Sequence, residues 1–95
     1  PYLDMSLPYA AGSMYSTVED LFKWDQSLYA DKILSAESKK RMFTPGLSNY
    51  GYGFNIYDQT IGKTTEKTKI IQHGGGINGF NCLLTRAVDK QQTVI

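Results

Sequence analysis

The stretch "KIIQHGGGINGFNCLLTR", residues 69–86, decides how the rest of this chain is read. Ile70 and Ile71 lead into the only histidine, His73; three glycines follow, then Asn78, Gly79 and a second apolar run from Phe80 through Leu84. "KIIQH" and "GFNCLLTR" read as strands, short apolar runs bounded by turn residues. In the first, Ile71 and His73 point to one face, and Ile70 and Gln72 to the other. After them "AVDKQ", 87–91, reads as a turn and "QQTVI" as a further strand. Before them "NYGYGFNIYDQ", 49–59, alternates, with Tyr50, Tyr52, Phe54 and Ile56 on one face. The polar "DQTIGKTTEKT", 58–68, reads as a hairpin loop or a short edge strand.

The first half has a different period. Residues 1–15 carry two prolines, a glycine and no sustained pattern, as in an ordered loop or arm. Ser16-Thr17-Val18-Glu19 forms a capping box, in which the Ser16 hydroxyl takes the Glu19 N–H and the Glu19 carboxylate reaches back. Val18, Leu21, Phe22, Leu28 and Tyr29 follow at helical spacing, with Trp24 flanking, so a helix is expected over about 17–30. A second, shorter helix starts at a Ser35 cap and runs through "AESKKRMF" to Thr44, where Pro45-Gly46 stops it. Two helices followed by an antiparallel sheet of three to five strands make an α+β architecture. The expected organisation is one partial domain over 1–95: residues 1–46 the end of a helical region, 47–95 the sheet region.

Composition narrows the function classes. The chain has 95 residues, enough for one small core. It is 41% hydrophobic and 20% charged, with a formal charge of +1, which gives no field to attract nucleic acid or an anionic membrane. Lys39-Lys40-Arg41 reads as a solvated helix face. The single cysteine, Cys82, cannot form an internal disulfide; within "FNCLL" it is expected as a small core residue. No apolar run approaches the roughly 20 residues of a membrane span. The chain opens at Pro1 and stops on an apparent strand, so both ends read as cut and a piece of a longer protein is expected.

A lone histidine near a strand end is more often structural than catalytic, and one histidine with one cysteine and no acidic cluster gives no metal site. No cofactor is expected. The glycines shift the balance. Gly74, Gly75 and Gly76 strip side chains from a strand edge and leave backbone groups facing outward. Such an edge takes an extended substrate by strand addition, or holds a developing oxyanion. The plain alternative is a flexible turn between strands. A phosphate cradle is discounted, because G-x-x-x-x-G-K-[ST] is absent. No serine sits in G-x-S-x-G or S-x-x-K; Ser35, Ser38 and Lys39 come near, but the lysine is one residue late. Tyr50, Tyr52 and Tyr57 are candidates for a pocket lining or for plain sheet residues. Residue pattern alone gives no complete catalytic set.

Three stretches together resemble one family. "AAGSMYSTVEDLFKW", 10–24, is similar to the A-A-G-G-x-x-S-T-x-x-D-L-x-x-F segment of the serine β-lactamase-like hydrolases, which include class C β-lactamases, penicillin-binding D-alanyl-D-alanine carboxypeptidases and related esterases. "ILSAESKKRMFTP" and "YGYGFNIY" resemble the helix and first sheet strand that come next, and "HGGGINGF", 73–80, its third active-site motif in the His-x-Gly form. Order and spacing match along nearly the whole chain. The resemblance implies an all-helical region beside an antiparallel sheet, with the active site between them. The nucleophilic serine and lysine of S-x-x-K and a Tyr-x-Asn-type motif are then expected in a missing N-terminal part of the same protein. It implies that His73 lines the site, that Gly74 and Gly75 lie against substrate, and that the Gly76 N–H completes the oxyanion hole, with Asn78 also at the substrate. Gly74 and His73 depart from the threonine and lysine of many members, which points toward esterase- or peptidase-like ones. The implied chemistry is acyl transfer on a β-lactam, D-alanyl peptide or ester in an exported or cell-envelope protein, and the 95 residues alone are expected to be inactive. The rival is a non-catalytic module that binds a peptide or protein along the Gly-rich edge.

Overall fold

A computed structural model describes residues 2–95. Three helices, α1 (Tyr9–Gly12), α2 (Val18–Ser27) and α3 (Ala36–Met42), precede four strands, β1 (Asn55–Thr60), β2 (Lys67–Ile77), β3 (Phe80–Ala87) and β4 (Gln92–Val94). The strands pair antiparallel in chain order, so the sheet is a meander with helices on the N-terminal side of the sequence: the α+β fold expected.

Local chemistry sets the helix ends. The cap of α2 is Thr17, not Ser16: Thr17 is extended and its hydroxyl accepts the Asp20 N–H at 3.1 Å, while the Ser16 hydroxyl donates to the Thr17 carbonyl. α2 closes at Ser27, earlier than the periodicity suggests. The N–H groups of Leu28, Tyr29 and Ala30 each bond three residues back, which tightens the chain out of the α-helix. α3 begins as expected, with the Ser35 hydroxyl accepting the Ser38 N–H at 3.1 Å. The N-terminal arm, expected as a loop, contains the single turn α1.

One row of the register runs Ile56, Ile71, Arg86, Thr93 across all four strands. Directly paired residues share a face, so these four side chains meet the same cover. Phe54, Ile56 and Ile71 form the core there, with Met42, Phe43, Leu84 and Val88 packed around them. Burying one such isoleucine contributes about 1.5–3 kcal/mol. Arg86 is the charged member of the row. Its Nε donates to Asp25 Oδ1, and both side chains are almost wholly buried, at 2% and 0% exposure. Asp25 Oδ2 accepts from Thr93 at 2.8 Å and from the Gln26 amide at 2.9 Å. The guanidinium lies 4.7 Å from the Tyr29 ring centre and 5.5 Å from that of Phe43. The end of α2 is therefore fastened across β3 and β4.

Lys39 adds a second fastening. It is mostly buried, donates to the Leu28 and Ala30 carbonyls at 3.3 and 2.9 Å, and pairs with Asp31. It is thus no part of a solvated basic face: its ammonium satisfies carbonyls just past α2. The alternation read over 49–59 also stops short. Residues 50–54 form a bend in which Gly51 has no room for a side chain, since a Cβ would lie 2.3 Å from the Met42 carbonyl oxygen. Only Phe54 and Ile56 go to the core; Tyr50 is partly and Tyr52 largely exposed.

Candidate functional site

β1 and β2 lie side by side from Thr60↔Lys67 to Asn55↔Gln72, where β1 ends. β2 continues for five residues, His73 to Ile77, and pairs there only with β3. The three glycines are thus strand, not turn. The reversal is Asn78-Gly79, with Gly79 at φ 86° and Ile77 paired to Phe80.

That two-residue reversal fixes where the backbone points. Its flanking pair exchanges hydrogen bonds, so Ile77 aims its N–H and C=O at β3, and alternation sends those of Gly75 and His73 the same way. Lys69 agrees with this parity: its N–H bonds Asp89 Oδ2 at 3.0 Å, on the β3 side. The N–H and C=O of Gly74 and Gly76 therefore face the other edge, past the end of β1. Among the described residues no backbone group from a turn or loop bonds to either.

The same contact acts on Asp89. The Lys69 N–H and, secondarily, the Thr68 hydroxyl hold its carboxyl below the ordinary value of 3.8, against the opposing effect of partial desolvation.

Side chains complete the edge sparsely. His73 is exposed and meets Tyr50, the rings nearly edge-on with centres 6.2 Å apart. Tyr50 is held where it is by a bridge to Asn55. A Cβ on Gly75 would sit 3.0 Å from Cys82 Sγ, and one on Gly76 3.1 Å from Asn81 Oδ1, so β3 side chains close over the glycine strand. Cys82 is exposed, contrary to the core position expected of it, because its row lies beyond the helices. Among the residues singled out, His73, Gly74, Gly75 and Gly76 share this strand. Asn78 lies at the hairpin tip, outside the edge itself.

No nucleophile joins them from the serines considered. The Ser35 hydroxyl is spent on the α3 cap and on Ser38 Oγ, and the Lys39 ammonium on carbonyls and Asp31. Among the described residues no group of three or more His, Cys, Asp or Glu is gathered as for a metal ion, and no helix is long and apolar enough to cross a membrane. Sequence reasoning missed Asp25 and Arg86. The available signal was parity: Arg86 sits two residues from Leu84, on the inward face of an apolar strand.

A cleft of about 720 Å³ lies beside this edge, between the end of α3 and the bend at 50–52. It contains neither His73 nor the glycines; Tyr50 is the wall the two places share.

Two curated proteins of Bacillus subtilis strain 168 are similar to the chain. "Penicillin-binding protein 4*" is 36% identical over 88 residues, covering 88% of this chain and 19% of that protein. "Putative penicillin-binding protein PbpX" is 45% identical over 97 residues, covering 100% of this chain and 22% of that protein. The chain spans about a fifth of the length of the curated relatives it matches. No family model and no solved structure matches it.

Proposed function

The chain belongs to the penicillin-binding protein and β-lactamase-like family, and from that premise we propose that it supplies one wall of an acyl-transfer site. In this reading the Gly76 N–H is an oxyanion donor and His73 lines the pocket. Gly74 and Gly75 leave room for a carbonyl to lie along the strand, and Asn78 meets the substrate at the hairpin tip. The nucleophilic serine is carried by another segment of the same protein. The substrate is a β-lactam, a D-alanyl peptide or an ester, attacked through an acyl-serine.

The observation that carries this reading is the edge of β2 past the end of β1: two outward-facing N–H groups, on residues that have no side chains of their own, beside an imidazole. Such a donor aimed at developing negative charge contributes on the order of 10²–10³ in rate. A second observation supports the missing segment. The chain exposes 7509 Å², about 2,000 Å² more than a compact monomer of this size. Val18, Phe22 and Trp24 of α2 are among the exposed apolar groups, and in this reading the rest of the protein packs against that helix.

Labelling tests it. The 95-residue chain should turn over neither a simple ester nor nitrocefin. The longer protein that carries it should be labelled by a fluorescent fluorophosphonate or penicillin at a serine outside these residues. Altering His73 or Gly76 should weaken that labelling. A folded longer protein that takes neither probe would sink the reading and leave the edge as a peptide-docking strand.

A further inference from the structure

The last turn of α3 carries Lys39, Lys40 and Arg41, and two of these three cations have partners. Lys39 pairs with Asp31 and bonds two carbonyls; Arg41 bonds Glu37 at 2.6 Å. Among the described residues, no carboxylate lies within ion-pair distance of Lys40. Lys40 lines the cleft of about 720 Å³ together with Arg41, Pro45, Tyr50 and Tyr52.

The opposite wall is held in place. Gly46 N–H bonds the Tyr50 carbonyl at 2.9 Å, Tyr50 N–H the Leu47 carbonyl at 3.1 Å, and Tyr52 N–H the Met42 carbonyl at 3.1 Å. Gly51 lies so close to Met42 that a Cβ there would sit 2.3 Å from its carbonyl oxygen. Tyr52 is nonetheless 76% exposed. A fixed backbone thus presents open aromatic surface opposite an unpaired ammonium. Glu37 also lines the cleft, but its carboxylate is paired with Arg41, so the remaining charge among the lining residues is that of Lys40 and the cleft is complementary to an anion.

We propose that this cleft is a binding subsite for a carboxylate carried on a flat ring, with the carboxylate at Lys40 and the ring against Tyr52 and Pro45. Its position, across Tyr50 from His73, makes it the seat of a part of the acyl donor remote from the reacting carbonyl, a placement that rests on the acyl-transfer reading. Donors with an acidic ring-bearing arm are then preferred over neutral ones.

Binding is tested without any chemistry, by titrating the ¹⁵N-labelled 95-residue chain with benzoate and, separately, with neutral benzamide at constant ionic strength. Benzoate is expected to shift the Lys40, Tyr50 and Tyr52 amide signals saturably, and benzamide is not. Lys40→Gln should weaken benzoate at least tenfold and Lys40→Arg should restore most of it. Lys63→Gln, in the β1–β2 loop, should change nothing. These lysines are on the surface, and the untouched amide signals report that each variant is folded. An equal response to benzamide, or equal weakening by the two glutamine variants, overturns the subsite. In the longer protein, Lys40→Gln should raise KM for an acid-bearing ester, leave kcat alone and spare its neutral counterpart; a loss shared by both esters overturns the placement. Benzoate binding in a protein that is never acylated would retain the cleft and discard the acyl-transfer reading.

Discussion

The two ends of the sheet follow opposite rules. At one end the row Ile56, Ile71, Arg86, Thr93 lies beneath α3 and the end of α2, every strand has its neighbours, and the charges are matched. At the other, β2 has lost β1, three successive residues have no side chain, and Cys82, Leu83 and Phe80 are exposed. The first end buys fixed geometry; the second spends it, because an unpaired edge is useful only if it is held still. The buried ion pair and the bare glycines belong to one design, joined by the strands β2 and β3 that run through both.

The largest effect should come from the fastened end. Arg86→Ala leaves Asp25 buried without its partner, and breaking such a pair costs about 3–5 kcal/mol. Against a typical total of roughly 5–15 kcal/mol, that should leave the variant largely unfolded in denaturant titration. Replacing both members by apolar residues of similar volume should recover most of the loss. Equal stability of Arg86→Ala and the parent would remove the pair from the account.

Next in size is a contrast between the ends. Ile71→Ala should lower unfolding free energy by about 2–5 kcal/mol, while Leu83→Ala, half exposed on β3, should stay within about 0.5 kcal/mol. Similar costs at the two sites would mean that both ends are covered.

The smallest effect concerns Asp89. Its folded carboxyl titrates below the unfolded one, so the contact with Lys69 stabilises fully above the unfolded value near 3.8. That stabilisation is lost as pH falls through the lower folded value. Thermal unfolding followed through the acid range should therefore decline less steeply in Asp89→Asn, which has no carboxyl to titrate. An unchanged slope would sever the link between that carboxylate and β2.

Much of this was legible in the sequence, and what escaped it has physical causes. Strands β2 and β3 and the Ser35 cap are written in runs and turn residues that act over a few positions. The glycine run also announced an open edge, because nothing else makes a strand so bare. The extent of β2 did not show, since glycine is read locally as a breaker and only pairing with Asn81–Leu84 keeps it extended. Cys82 looked internal because its neighbours are apolar, yet cover over β3 ends one row earlier. The Asp25–Arg86 contact joins residues 61 positions apart, a distance over which periodicity says nothing. The helical spacing of Val18 and Phe22 foretold the helix but not what covers it, and both side chains, with Trp24, are exposed among the described residues.

The most direct test is amide hydrogen exchange along β2, residue by residue. Gly74 and Gly76, aimed at the free edge, should exchange much faster than Gly75 and Ile77, which bond β3. Equal protection across all four, or slow exchange at Gly76, would contradict it, because the N–H offered to the oxyanion would then be engaged elsewhere.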